Sequence, residues 1–241
     1  NFSDVSTDSL SFKYCILNKF PVQLLFMEQL DYTLDDLIDD DSYTMSDTEW
    51  KSILFQICFG LSVAQSKYEF IHNDLHSSNI MFQKTKDSFL YFEYKNCFFK
   101  VPTFNKIAKI IDFGRAIFTH NHQLYFSNVF NEDGDAEGQY DYPIDESLKQ
   151  CHIKPNTSFD LARLSTTLIE HFDKKNPIFK LLKSWITNKS KNICLYNSDD
   201  DFELYKKIAK HMDNALPKHQ LKKHIFKSFR IDKKDIPSTT Y

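Results

Sequence analysis

The chain has 241 residues, 41% of them apolar and 26% charged, with a formal net charge of −3. That length supports a sizeable core in one domain or two small ones, and the balance of charge gives no field that would draw nucleic acid or an anionic membrane surface. No run approaches the ~18 apolar residues of a membrane span, and NFSDVSTDSL at the N-terminus lacks the basic and apolar regions of a signal peptide. The five cysteines are odd in number and form no C-x-x-C pair, so they read as reduced thiols in a cytosol-like compartment. The first residue is Asn1 rather than Met, which points to a fragment or a processed chain.

In chain order, residues 1–12 are polar and are expected to be loose. Tyr14 to Leu17 and Val22 to Leu30, separated by Pro21, read as two strands of a hairpin or small sheet. Y-T-L-D-D-L-I from Tyr32 predicts a short helix with Leu34, Leu37 and Ile38 on one face, followed by a loop at Asp39 to Ser42. Ser46 or Asp47 caps a long helix from about Thr48 to Lys67, whose stripe is Ile53, Leu54, Ile57, Cys58, Leu61 and Ala64. After I-H-N-D-L-H-S-S-N, residues Ile80 to Phe82 predict a short strand. F-L-Y-F-E-Y-K-N-C-F-F-K-V-P then predicts two more strands, turning near Lys95-Asn96. An apolar run ends in I-I-D-F-G-R at residues 110–115, and Gly114 to Phe159 is irregular and acidic. S-F-D-L-A-R-L-S-T-T-L-I-E-H-F predicts a helix with Phe159, Ala162, Leu164, Leu168 and Ile169 available for burial. Helical patterns follow near Ile178 to Thr187 and Asp201 to Met212, and a basic one follows Pro217. A few strands followed mostly by helices is an α+β arrangement.

Two of these stretches carry chemistry. The first places a carboxylate, Asp74, five positions before an amide, Asn79; the second ends a strand-like run in another carboxylate, Asp112. An amide oxygen and a carboxylate from separate loops are hard-oxygen ligands suited to magnesium. Asp74 is then free to accept a proton from an attacking hydroxyl. H-x-D alone is a weak signal; the two stretches together, in this order, are a strong one.

The pair H-x-D-x-x-x-x-N and D-F-G resembles the catalytic and magnesium loops of the protein-kinase superfamily. His-Asn-Asp-Leu-His is similar to the form in haspin-like kinases and in candidate serine/threonine kinases of giant DNA viruses. The resemblance covers about residues 15–170. It implies a protein-kinase-like α+β fold, with partial N-lobe strands and a hinge at 1–30 and a mainly helical C-lobe at 31–241. Within the C-lobe, the 33 positions between Asn79 and Asp112 would include a hairpin insertion at about 83–106. The insertion reads as a structural element without a chemical role, with a docking surface as the alternative.

The resemblance further implies ATP and Mg2+ as cofactors and a protein Ser/Thr hydroxyl as acceptor. Asp74 would be the catalytic base, with Asn79 and Asp112 as metal ligands. His76 would stand where kinases usually have a Lys that contacts the γ-phosphate. Met27 would be the gatekeeper, backbone groups at Glu28 and Leu30 would bond the adenine edge, and Met81 would pack below the base. His72 would brace the catalytic loop, Phe113 and Gly114 would complete the magnesium loop, and Asp160 would anchor the catalytic-loop backbone. Asn73 replaces the Arg that many kinases use to bind a phosphorylated activation segment, so phosphorylation there should be dispensable.

The sequence also departs from the pattern. No Gly precedes Met27, and Lys13 and Lys19 lie too close to the hinge to leave room for a helix between. The glycine-rich loop, the strand-3 Lys and helix C are therefore missing, and this piece should bind ATP poorly. A small-molecule phosphotransferase of the aminoglycoside or choline kinase kind shares H-x-D-L-H-x-x-N, but Gly114 favours the protein kinase. A pseudokinase or binding scaffold is the third reading. The cytoplasm is the expected compartment (that of a host, or a virion, if the chain is viral), and no membrane partner is expected.

Overall fold

The computed structural model describes residues 2–7, 10–15, 19, 21, 24, 26–140, 155–196, 198 and 202–237. Strands β1 (Phe2–Thr7) and β2 (Leu10–Cys15) pair antiparallel, with Val5 opposite Phe12. This corrects the reading of residues 1–12 as loose. Leu10, Phe12 and Tyr14 alternate with Ser11 and Lys13 at the period of a strand, which the polar average of the stretch conceals. The expected strand at Val22 to Leu30 is also corrected, because residues 26–30 carry no strand pairing. The pairing begins two residues later, at β3 (Tyr32–Thr33). Val22, Gln23 and Leu25 lie outside the described residues.

Helix α1 (Leu34–Ile38) starts at a capping box in which Thr33 Oγ1 accepts from Asp36 N at 3.0 Å and Asp36 Oδ2 accepts from Thr33 N at 2.7 Å. Helix α2 (Asp47–Tyr68) is capped by Ser46, whose Oγ accepts from Glu49 N at 3.2 Å. It stops at Glu69, which adopts the left-handed conformation (φ 51°). Strands β4 (Ile80–Lys84), β5 (Phe89–Tyr94), β6 (Cys97–Pro102) and β7 (Lys106–Ile110) follow. The β5–β6 hairpin turns at Lys95 and Asn96, both at positive φ (49° and 60°), as a two-residue turn matched to strand twist requires.

A second hairpin, β8 (Phe118–His120) and β9 (Gln123–Tyr125), turns at Asn121-His122, again at positive φ (48° and 63°). It corrects the reading of this segment as wholly irregular; residues 141–154 lie outside the described part. Helix α3 (Phe159–Leu168) runs into a 3-10 turn at Ile169–His171. Then come α4 (Pro177–Trp185), the short pair β10 (Thr187–Asn188) and β11 (Ile193–Cys194), and α5 (Phe202–His211). The basic segment after Pro217 is not one helix. It divides into α6 (Pro217–Gln220), a 3-10 turn at His224–Phe229 and β12 (Arg230–Ile231). The reason is packing: in the 3-10 turn Phe226 and Phe229 eclipse each other three positions apart, and both are buried.

Two three-stranded antiparallel sheets result, ordered β3-β4-β7 and β12-β6-β5. Behind the second, Phe55 of α2 sits among Phe99 (ring centroids 4.8 Å apart), Phe226 (5.4 Å), Phe92 (5.6 Å) and Phe229 (5.8 Å). The hairpin between Asn79 and Asp112 therefore covers the flank of α2. A buried ion pair, Glu49 with Lys106, ties the start of α2 to β7. The Tyr43 hydroxyl donates to both Glu49 oxygens at 2.8 Å. Burial, and the negative Glu49 beside it, push the Tyr43 phenol up to about 12.

Phe55→Ala would open a void that the rings of Phe59, Phe92, Phe99, Phe226 and Phe229 border. The expected loss of unfolding free energy in urea is about 3–5 kcal/mol; a loss below about 1 kcal/mol would show that the aromatic cluster does not hold the hairpin.

Candidate active site

Asp160 lies fully buried in the first turn of α3 and aims its carboxylate at the loop that follows α2. Its oxygens accept from the backbone N–H of His72 (3.1 Å to each oxygen) and of Asn73 (3.0 Å). Burial raises its pKa, opposed by His72 and by these two backbone donors. Asn73 takes a left-handed conformation (φ 64°), which an Asn tolerates better than most residues, and this bend turns the chain toward Asp74.

The ring of His72 is buried and fixed at both nitrogens. Nε2 donates to the Ile111 carbonyl at 2.7 Å, and Nδ1 accepts from Asp74 N at 3.3 Å. His72 therefore joins the loop at 71–79 to the end of β7. Phe113 packs edge-on against His72 and Phe70 with centroids 5.7 Å apart in each pair, while remaining 57% exposed.

The two carboxylate-bearing loops meet through backbone pairing. Ile80 lies opposite Ile110 in the β4–β7 ladder, and Ile111 N donates to Asn79 O at 3.1 Å. Asp112 follows at φ 61°, exposed, its Oδ1 accepting from Gly114 N at 3.2 Å. A Cβ at Gly114 would stand 3.2 Å from that same oxygen, so the small residue keeps the Asp112 carboxylate uncrowded. Asn79 Nδ2 donates to Asp74 O at 3.0 Å and to His76 Nε2 at 3.1 Å. Both of its hydrogens are thereby engaged, which leaves its oxygen as the acceptor end of the amide. An oxygen from Asn79 and a carboxylate from Asp112 fit a hard divalent cation that keeps water or phosphate in its other positions. No cluster of three or more His, Cys, Asp or Glu placed to share an ion exists among the described residues. His76 has a pKa lowered mainly by burial, so its ring is neutral near pH 7 and offers a hydrogen bond, not a charge.

Asp74 has a hydrogen-bond donor at one oxygen and a more distant cation at the other. Oδ1 accepts from the Tyr205 hydroxyl at 2.6 Å, and Oδ2 lies 3.7 Å from Arg115 Nε. Arg115 is tied in turn, its carbonyl accepting from Asn73 Nδ2 at 3.0 Å. Asn73 Oδ1 accepts from the Tyr140 hydroxyl, and Asn73 O accepts from Gln139 Nε2 at 3.3 Å. The amide of Asn73 thus holds the segment after D-F-G without any charged partner. Sequence reasoning missed Tyr205, Arg115 and Gln139: they lie 131, 41 and 65 positions from Asp74, and no local spacing links them to it.

The structure brings together Asp74, His76, Asn79, Asp112, His72, Phe113, Gly114 and Asp160. Met27 points into solvent, 77% exposed. Glu28 accepts from Gln83 Nε2 at 2.6 Å. Leu30 and Met81 are half-buried, with Met81 opposite Thr33 in β4. The segment before β3 is held by Asp31, whose N donates to Phe82 O at 2.9 Å and whose carboxylate accepts from Lys84 N at 2.8 Å.

A family model described as "haspin like kinase domain" matches residues 23–239. Bovine serine/threonine-protein kinase haspin is 30% identical over 95 residues, which is 39% of this chain and 12% of that protein. A candidate serine/threonine-protein kinase of Acanthamoeba polyphaga mimivirus is 28% identical over 136 residues, 46% of this chain and 34% of that protein. The haspin homolog of Drosophila melanogaster is 27% identical over 107 residues, 44% of this chain and 19% of that protein. The matched stretches thus span at most about a third of those relatives' lengths.

Asp160→Ala would leave two buried backbone N–H groups without an acceptor. We expect unfolding free energy to fall by about 2–4 kcal/mol, against less than about 1 kcal/mol for Asp74→Asn, whose side chain is partly exposed. Equal losses in urea unfolding would show that Asp160 does not brace the loop.

Proposed function

This chain belongs to the haspin-like kinase domain family, and from that premise we propose that it transfers the γ-phosphoryl group of ATP to a serine or threonine hydroxyl of a protein substrate. The observation that carries the reading is the convergence of Asp74, Asn79 and Asp112 through the Ile111–Asn79 and His72–Ile111 hydrogen bonds. Magnesium-bound ATP supplies the electrophilic phosphorus and masks the phosphate charge. Asn79 and Asp112 hold the metal. Asp74 orients the acceptor hydroxyl and takes its proton. His76, neutral by burial, donates one hydrogen bond toward the phosphate. His72, Phe113 and Gly114 keep the two loops in register, and Asp160 anchors the first of them.

We place the adenine edge against the backbone of Glu28 and Leu30, with Met27 as gatekeeper and Met81 below the base. In the same reading residues 1–30 form N-lobe strands and the hinge, and residues 31–241 a C-lobe with its insertion at about 83–106. The chain has four glycines, at 60, 114, 134 and 138. None precedes Met27, and in this reading the piece carries no glycine-rich loop to cover the phosphates. The same reading expects weak ATP binding by the 241-residue chain and activity from a longer parent that carries such a loop.

Three outcomes test the proposal. Asp74→Asn should lower peptide phosphorylation by a longer parent about 10³-fold; transfer to small aminoalcohols but not peptides would replace the protein-kinase reading. Isothermal titration of the 241-residue chain with Mg-ATP should give a dissociation constant weaker than micromolar, and a micromolar value would refute the truncated reading. Phosphatase treatment of active protein should leave its rate unchanged, since Asn73 meets Tyr140 and Arg115 as a neutral amide; loss of activity would overturn that account.

A further inference from the structure

Tyr205, on α5, reaches across the site from a helix that the catalytic and magnesium loops do not include. Its ring is held on several sides. The guanidinium of Arg163 lies 4.8 Å from the ring centroid and that of Arg115 5.5 Å away. The rings of Phe202 (5.8 Å, stacked) and Phe159 (6.0 Å) complete the setting. So clamped, the ring presents its hydroxyl to Asp74 Oδ1 at 2.6 Å, a short charge-assisted bond. The acceptor hydroxyl in phosphoryl transfer needs the same kind of bond to the same carboxylate. One carboxylate oxygen is therefore committed to Tyr205. The other, Oδ2, has Arg115 Nε at 3.7 Å, beyond direct hydrogen-bond range, and keeps its acceptor capacity.

We infer that Tyr205 is a positioning residue for Asp74: its hydroxyl holds Oδ1, fixes the carboxylate's rotation and leaves Oδ2 to take the substrate proton. The inference rests on the phosphoryl-transfer reading above. A carboxylate free to rotate would offer either oxygen in many orientations, and the acceptor hydroxyl would seldom be aligned with the phosphorus. The clamp on the ring removes that freedom, and the nearest guanidinium nitrogen, Arg115 Nε, stays 3.7 Å from Oδ2, too far to take up its lone pairs by a direct hydrogen bond. Burial and the bond to Asp74 both raise the Tyr205 pKa, opposed by Arg163, so the phenol stays protonated as a donor at neutral pH.

Tyr205→Phe keeps the ring, the guanidinium groups over its face and its packing, and removes the hydroxyl with its bonds to Asp74 and Arg163. In a longer, active parent, kcat should fall roughly tenfold, the value of one hydrogen bond to a charged group. KM for ATP and for the peptide, and the melting temperature, should stay unchanged. In the 241-residue chain, the phenol ionisation assigned to Tyr205 by difference from Tyr205→Phe should shift to lower pH in Asp74→Asn, because the negative acceptor is gone. A wild-type kcat in Tyr205→Phe, with Asp74→Asn inactive, overturns this inference alone. An unmoved Tyr205 ionisation in Asp74→Asn overturns the contact itself, whatever the activity. Absence of transfer by the wild-type parent overturns the kinase reading, and the positioning role falls with it.

Discussion

The hydrogen bonds from two backbone amides to the buried carboxylate of Asp160 are the constraint on which the site depends. A loop has no ladder of its own to hold it, and its amides must find acceptors when buried. Asp160 supplies them from α3, a helix seated in the main core through Phe159, Leu161, Leu164 and Leu168. The rigidity of that core is passed to residues 72 and 73. It then passes through the His72 ring to Ile111 and through the Asn79 carbonyl to the same residue. Each link is short and directional, so Asp74 and Asp112 sit on loops whose positions the core determines.

The segment after D-F-G is fastened differently. Tyr140 and the Arg115 carbonyl meet the buried side-chain amide of Asn73, Gln139 meets its backbone carbonyl, and none of these bonds pairs opposite charges. Dipolar contacts of this kind depend little on ionic strength and need no modification to form. The cost is geometric: an Asn in the left-handed region must aim both ends of its side-chain amide at once, donating to Arg115 and accepting from Tyr140, which few other side chains could do. The one ion pair near Asp74 that the described residues show, Arg115 with Oδ2, is long and only half-buried, so it steers more than it binds.

Much of this was legible in the sequence because it depends on local order. The capping residue of α2, the two-residue turn at Lys95-Asn96 and the succession H-N-D-L-H, S-S-N and D-F-G each declare themselves within a few positions. The errors came where average polarity hid a period, as at Leu10 to Tyr14, or where packing overrode propensity, as in the basic segment after Pro217. There the inward pull of Phe226 and Phe229 shortens the helix into a 3-10 turn. Tyr205 was illegible for a third reason. Its partner lies 131 positions away, and only the docking of α5 on α3 brings the phenol to the carboxylate.

The pairing of β12 with β6 has a consequence for biosynthesis. Arg230 and Ile231 complete a sheet begun at residue 89, and Phe226 and Phe229 cover a ring, Phe55, made far earlier in translation. As the chain emerges from the ribosome, α2 and the inserted hairpin would therefore wait with an aromatic face open to water. Nascent chains in that condition are prone to capture by chaperones or by one another, and the risk ends only when residues 226–231 have been released to fold back over it.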